Sequence, residues 1–538
     1  MLKILNSQLK SITSAAIIIS GATLVSRIMG LARDRIFAHY FGVGPVMDSY
    51  YAAFRIPDLI YNLLIVGALS AGFIPTFTKL FNQSEDKTPA WKLANNILNI
   101  TAISLAILSF FGMLFTPALT NLIAPGFDNA SKALVTSFTR IMFGSTVMLG
   151  LSMVIGGVLQ SLRAFFLYSL APIFYNVGII IGAVLLVPLI GIKGLAWGVV
   201  LGAFMHLSLQ IYSAYANGYK WKWYFNPKDQ NAKIIGKLMV PRTLGLAISQ
   251  LNLVIITILA SWLPTGSVTI FNFANNLQAV PIGIIGIPFA IAVFPVLSAA
   301  AARNDIDEFI KNLSSTIRQI LFLIIPCAII FLLLRAQIVR VILGTGKFNW
   351  DATISTGNTL AFFALSMFAQ ALIPLVARAF YALANTKTPF ITGIISELTS
   401  IIAALLLMKP FGVAGLALAF SIGSILNLVI LSIYLRNTLT KINGDKIFSS
   451  FYRIIIAVIP MALLIQYIKD PLAKIFNQDY FWGILGQGLV AGLSGLAIYL
   501  ILCYLLRVPE LIQIKESHTN RFLRPKQVQT QESIETNA

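Results

Sequence analysis

The stretch that decides how this chain is read is GATLVSRIMGLARDRIFAHYFGVGPVMDSYYAAFRIPD, residues 21–58. The residues before it, from Ser11 to Val25, carry no charge and open an apolar helix of membrane character. Arg27, Arg33, Asp34, Arg35, Asp48 and Arg55 then arrive within two consecutive apolar segments. An ionised side chain at the bilayer centre costs about 2.5–3.5 kcal/mol on insertion scales, so helices carrying this many must turn them inward. Arg27 and Asp34 are seven residues apart, two turns of helix, and therefore share a face; Asp48 and Arg55 repeat the spacing with signs reversed. A reversal of the chain at Gly42 to Pro45 brings Asp34 and Arg55 to similar depth, about 15 Å in at 1.5 Å per residue. That depth predicts a pair across the hairpin. For Arg33 and Arg35, snorkelling to an interface is the alternative; Arg27 lies deeper.

Composition sets the class. Of 538 residues, 57% are hydrophobic and only 11% charged, whereas about a quarter of a typical soluble domain is charged. Apolar runs of roughly 20 residues recur along the whole length, the pattern of helices crossing about 30 Å of hydrocarbon. The expected fold is an all-α polytopic membrane protein. The net charge of +20 does not point to nucleic acid, because Lys and Arg crowd into alternate loops. Cys327 and Cys503 both fall in apolar runs, with neither disulfide nor metal spacing. No cleavable leader is expected, since Arg27 and Arg33 follow the first apolar run without a small-residue cleavage site.

The apolar runs predict about fourteen transmembrane helices, among them spans at 11–39, 47–79, 388–408 and 411–435. Segments after even-numbered spans hold Lys79, Lys87 and Lys92, then Arg163, then Lys220, Lys222, Lys228, Lys233 and Lys237. The positive-inside rule therefore puts both termini in the cytoplasm. The chain also repeats itself: GIKGLAWGVVLGAFMHL at Gly191 matches GVAGLALAFSIGSILNL at Gly412, and the same 221-residue offset carries Phe127 onto Phe348 and Leu162 onto Leu383. Such an internal match signals a duplicated half, as in many transporters. The organisation read from it is an N-lobe of six spans over 1–217, a C-lobe of six over 218–440, two extra helices within 441–506 and a polar cytoplasmic tail over 507–538. Two pseudo-symmetric lobes of this kind are expected to enclose a central cavity.

Enzyme motifs are missing. GTGK at Gly344 lacks the spacing of a phosphate-binding loop, and His39, His206 and His518 suggest no metal site. No cofactor is expected. The remaining polar residues in spans read as cavity lining: Gln250 and Asn252 in span 7, and Asn272, Asn275, Asn276 and Gln278 in span 8. As helix-to-helix glue such amides are worth about 0.6–2 kcal/mol each, and that reading stays open for any single one. Arg140 and Glu397 are lone intramembrane charges. Glu397 has two readings, a proton or cation site or a pair with a nearby Arg.

SRIMGLARD from Ser26, DSYYAAFRIPDL from Asp48 and GALSAGFIP from Gly67, in that order and spacing, resemble the MurJ/MviN family of lipid II flippases. The resemblance covers residues 10 to 510 and is strongest in the first eighty. It implies the exporter-superfamily fold, with two lobes facing a V-shaped cavity in the bacterial plasma (inner) membrane. The implied activity is moving undecaprenyl-pyrophosphate-linked murein precursor to the outer leaflet, with lipid II and the bilayer as partners. A monovalent ion or the membrane potential would drive it, since no ATP site exists. The family's motif carries over onto Ser26, Arg27, Arg33, Asp34 and Asp48; Arg55 joins them as the remaining cation of the hairpin. Two departures stand out. Tyr61 and Asn62 occupy the place of an arginine pair in span 2, and in span 8 Asn276 replaces an arginine while Ala279 replaces an acid. The competing functions are a flippase for another polyprenyl-pyrophosphate-linked oligosaccharide and a small-molecule or cation antiporter. The arginine-rich hairpin favours a pyrophosphate, because guanidinium forks bind its oxygens bidentately.

Overall fold

A computed structural model describes residues 12–63, 72–83, 85–439 and 443–512. The polar tail expected after residue 507 lies almost wholly outside them. Among the described residues there is no β-strand. Helix α1 runs Ile12–Phe41, followed by α2 Pro45–Ala53, α3 Arg55–Tyr61 and α4 Ile74–Gln83. Long helices α5 Thr88–Ile123, α6 Asn129–Ser161 and α7 Phe165–Ile181 come next, α7 continuing through a π-turn into the short α8 Val187–Ile190. Then come α9 Gly194–Ala216, α10 Gln230–Ser261, α11 Ser267–Ile284, α12 Gly286–Ala302 and α13 Ile306–Leu333. The last six are α14 Arg335–Leu343, α15 Trp350–Ala364, α16 Met367–Ala382, α17 Lys387–Leu439, α18 Gly444–Ile475 and α19 Phe481–Leu505.

Nine helices among the described residues are long and apolar enough to cross a membrane, or ten if the bent pair α15 and α16 forms one span. The expected second span, 47–79, is described only in part. Its described part is α2 and α3, which meet at Phe54 with the backbone still helical (φ −70°, ψ −24°), and α4; residues 64–71 lie outside the described ones. The spans expected at 388–408 and 411–435 lie within α17, which leaves helical geometry at Gly412 (φ 57°, ψ −138°).

The duplication seen in the sequence is repeated in the geometry. Gly191, at the corresponding place before α9, also has a left-handed backbone, φ 72°. A residue with a Cβ is strained there, so glycine at both breaks is dictated by the turn. Just beyond, a Cβ on Gly194 would meet the backbone of Leu186, and one on Gly415 that of Leu407. On Gly202 it would meet the carbonyl of Tyr175, on Gly423 that of Ser396. Each member of the second set stands 221 residues after its mate. The helix starts match as well: Asp128 caps α6 by accepting from the Ser131 amide, and Asn349 caps α15 by accepting from that of Ala352. The Ser131 hydroxyl and amide also hold the exposed Asp128 carboxyl below the usual carboxylate range. Left-handed Arg163 and Ala384 complete the correspondence.

The described chain divides into two compact units. One comprises the chain up to Val280 with Arg335–Ala369 and Asn385–Leu431. It holds a core in which Phe73 and Phe77 pack with Leu105, Val154, Leu159 and Tyr219. The other comprises Pro281–Leu334, Gln370–Ala384 and the chain from Ser432. Within it α13, α18 and α19 pack together. Arg318 on α13 pairs with the fully buried Glu510 at 2.6 Å, and Ser450 on α18 donates to the same carboxylate at 2.8 Å.

Candidate functional site: a ladder between the N-terminal hairpin and α11

The charges of the hairpin are inside the first unit, and one helix meets four of them, Arg27, Asp34, Asp48 and Arg55. Helix α11 presents Thr269, Asn272, Asn276 and Ala279 on a single stripe, three or four residues apart. Asp48 on α2 takes the first rung. Its carboxylate accepts from the Gly266 amide at 2.5 Å, the Thr269 amide at 2.8 Å and the Thr269 hydroxyl at 2.6 Å. These are donors at the N-terminus of α11, which have no partner inside the helix, and a carboxylate there also complements the helix dipole.

Arg55, the first residue of α3, takes the second rung. It donates to the Asn272 side-chain oxygen at 2.9 Å and to the Thr257 hydroxyl of α10 at 2.7 Å. Asp34 on α1 takes the third, accepting from the Asn276 amide at 2.8 Å. Arg27, seven residues earlier, takes the fourth by donating to the Ala279 carbonyl at 3.1 Å. The stripe thus rises about 15 Å from the loop that opens α11, at 1.5 Å per residue.

The shared face inferred for Arg27 and Asp34 is present, but its partner is α11. The expected Asp34–Arg55 pair is not made. Their rungs are adjacent, so the depth argument was sound; an asparagine offers both a donor and an acceptor, and α11 uses one amide for each charge. Asp34 is also bound by Arg33, whose guanidinium donates to it at 3.0 and 2.8 Å and to the Asn176 side chain of α7 at 3.3 Å. Arg33 is therefore neutralised in place. Arg27 and Arg55 are in no ion pair among the described residues, and the Arg27 Nε is buried without a partner. Arg55 has the Asp58 carboxylate one turn on in α3 as its electrostatic partner, without a direct bond, so Arg27 is the guanidinium of the ladder left without a carboxylate. An oxyanion would supply its missing acceptor. Ser26 is half-buried next to Arg27.

The other charges singled out in the sequence fall elsewhere. Arg35 donates to the carbonyls of Val341 and Ile342 on α14, so it is fixed by protein. Arg140 is exposed and donates to the Met113 carbonyl on α5. Glu397 takes no arginine; it accepts from Asn252 on α10. Thr257, Thr269 and Asn176 belong to the network without having been singled out from sequence. Of these only Asn176, an amide in the otherwise apolar α7, left a signal there.

Tandem helical repeats with charges turned onto an inner stripe define a membrane transporter rather than a receptor or scaffold. The family model described as lipid II flippase MurJ matches residues 37–486. A lipid II flippase MurJ of Burkholderia cenocepacia is 30% identical over 431 residues, covering 78% of this chain and 83% of its own length. A probable lipid II flippase MurJ of Vibrio cholerae is 29% identical and covers 93% of this chain and 97% of its own. Among solved structures, a lipid II flippase MurJ in an inward closed conformation superposes with TM-score 0.75 at 25% identity, covering 91% of this chain and 99% of that one. An inward-facing MATE-family multidrug transporter shares the fold alone, with TM-score 0.65 at 15% identity. The chain belongs to the MurJ family of lipid II flippases.

Proposed function

We infer that this chain moves lipid II, the polyprenyl-pyrophosphate-linked peptidoglycan precursor, from the inner to the outer leaflet of the bacterial plasma membrane by alternating access. Membership of the family supports the substrate. The observation that carries the site is the ladder on α11. Arg27 brings positive charge with no carboxylate against it, while Arg55 and Arg33 add guanidinium groups beside Asp58 and Asp34 respectively. A pyrophosphate cannot enter hydrocarbon unpaired, for the same desolvation reason that makes a bare arginine costly there. Ser26 and Asn276 line the same stretch, and Asp34 and Asp48 keep α1 and α2 in register with α11.

Alternating access is assigned to the two lobes, 1–217 and 218–440, with both termini cytoplasmic as loop charge requires. The driving force is the membrane potential or a monovalent-ion gradient; one elementary charge crossing 100 mV gains roughly 2.3 kcal/mol. The test is complementation. Cells depleted of their own lipid II flippase should grow when this chain is supplied and should fail with Arg27→Ala/Arg55→Ala. Growth with that double variant would place the pyrophosphate elsewhere.

A further inference from the structure

Between α9 and α10 the chain reads KWKWYFN, residues 220–226, and this segment is held as an arch by three asparagines of α5. Asn95 accepts from the Lys222 amide at 3.0 Å and the Tyr219 hydroxyl at 2.8 Å, and donates to the Lys220 carbonyl at 3.2 Å. Asn99, one turn on, donates to the carbonyls of Tyr224 at 3.0 Å and Lys222 at 3.3 Å and accepts from the Trp221 indole at 3.2 Å. Asn96 closes the far foot, accepting from the Asn226 amide at 2.7 Å and donating to its carbonyl at 2.9 Å. All three asparagines are buried, Asn96 completely. Six of the eight bonds go to backbone atoms, and the lysine side chains take no part in any of them.

Its side chains are left outward. Trp221 is 50% exposed, Trp223 67% and Phe225 45%, with Lys220, Lys222 and Lys228 also exposed around them. Three large aromatic side chains exposed together on one loop form an apolar patch of the kind that marks a membrane or partner contact.

Helix α5 gives the depth. Its exposed apolar side chains run from Ile107 to Leu122, and it ends at Ile123. Counting back from Ile123, about 30 Å of hydrocarbon uses roughly 20 residues and reaches the region of Ser104. Asn99 then stands about 7 Å beyond the hydrocarbon, inside the headgroup layer, and Asn95 about 6 Å further out. The apex of the arch, bonded to Asn99, is the part nearest the lipid.

We propose that the arch 220–226 is a lipid-headgroup site, in which Trp221 and Trp223 seat at the membrane interface while Lys220, Lys222 and Lys228 bind anionic phospholipid phosphates. Tryptophan favours this depth because its ring is apolar and its N–H polar, and surface lysines add attraction for an anionic leaflet. The clamp keeps these groups at that depth without relying on lipid for its own order.

The test uses the full chain in nanodiscs of phosphatidylglycerol or phosphatidylcholine with brominated acyl chains. The emission difference between the protein and Trp221→Phe/Trp223→Phe isolates two of its seven tryptophans. That emission should be quenched by brominated lipid and protected from aqueous iodide. Lys220→Gln/Lys222→Gln/Lys228→Gln leaves the clamp bonds intact, since these use backbone atoms; in mixed lipid it should lower retention of phosphatidylglycerol over phosphatidylcholine by roughly fivefold per lysine. Iodide quenching equal to that of free tryptophan would overturn the membrane contact. Unchanged phosphatidylglycerol preference in the triple variant would overturn the headgroup assignment.

Discussion

Asp48→Ala removes one carboxylate that satisfies three buried donors at the start of α11. Asp48 is 2% exposed and Thr269 fully buried, so water cannot readily take its place. Hydrogen bonds to a charged group are worth about 1.5–3 kcal/mol each. Three that share one acceptor group do not add in full, and about 4 kcal/mol is the expected net loss. Local opening of the Gly266–Thr269 turn should then rise roughly 700-fold, at a factor of ten for every 1.4 kcal/mol. Hydrogen exchange by mass spectrometry, on the protein in nanodiscs, reads that opening directly in the peptide carrying the two amides. Asp48→Asn keeps one acceptor oxygen but turns its amide toward a donor, so its acceleration should be intermediate. Thr269→Val removes only the hydroxyl bond and should give roughly tenfold, the effect of about 1.5 kcal/mol. An acceleration below roughly threefold in Asp48→Ala would mean that the carboxylate does not hold this turn, and the first rung of the ladder would be lost with it.

Arg27→Ala should abolish lipid II flipping in proteoliposomes with the heat-denaturation midpoint unchanged, because Arg27 releases only a carbonyl; Arg27→Lys should rescue in part, having lost the guanidinium fork. Wild-type flipping by Arg27→Ala would refute its role. Arg33→Ala should lower the midpoint as well as flipping, since it leaves the buried Asp34 carboxylate without its cation. Glu510→Ala strands Arg318, 12% exposed, and should cost about 3–5 kcal/mol of stability, with Glu510→Gln milder; equal melting of all three proteins would show the pair to be idle. Cysteine placed at Asp128 should react with an impermeant label from outside the cell and cysteine at Lys228 should not, the reverse pattern inverting the topology.

Much of this was legible in the sequence, for identifiable reasons. The membrane class follows from composition, and the duplication follows from glycines whose backbone geometry no other residue tolerates, such as Gly191 and Gly412. The inward turn of Arg27 and Asp34 follows from a seven-residue spacing on one helix. Partner choice was not legible. Asp34 and Arg55 are oppositely charged and equally deep, and only the position of α11 between them decides that each bonds an asparagine. Caps and clamps such as Asn95, Asn96 and Asn99 gave a different kind of signal. Three amides at the mouth of a span announce a polar partner, but spacing alone does not say that the partner is a loop more than a hundred residues away.

The two repeats show where such information resides. Glycines, caps and left-handed turns recur at the 221-residue offset because they solve the same packing problem twice. The buried polar residues at the same offset mostly differ: Asn176 on α7 corresponds to Glu397 on α17. Asn176 accepts from Arg33 of α1, the first helix of its repeat; Glu397 accepts from Asn252 of α10, the first helix of the other. One contact between a first and a fifth helix is therefore kept as geometry while its charge is inverted, cation-to-amide in one half and amide-to-carboxylate in the other. A duplicated scaffold with unduplicated charge binds an asymmetric substrate more naturally than a symmetric one, since each half can take a different part of it. Under the function proposed above, the guanidinium cluster of the first repeat, Arg27, Arg33 and Arg55, would take the pyrophosphate end; it has no counterpart 221 residues on.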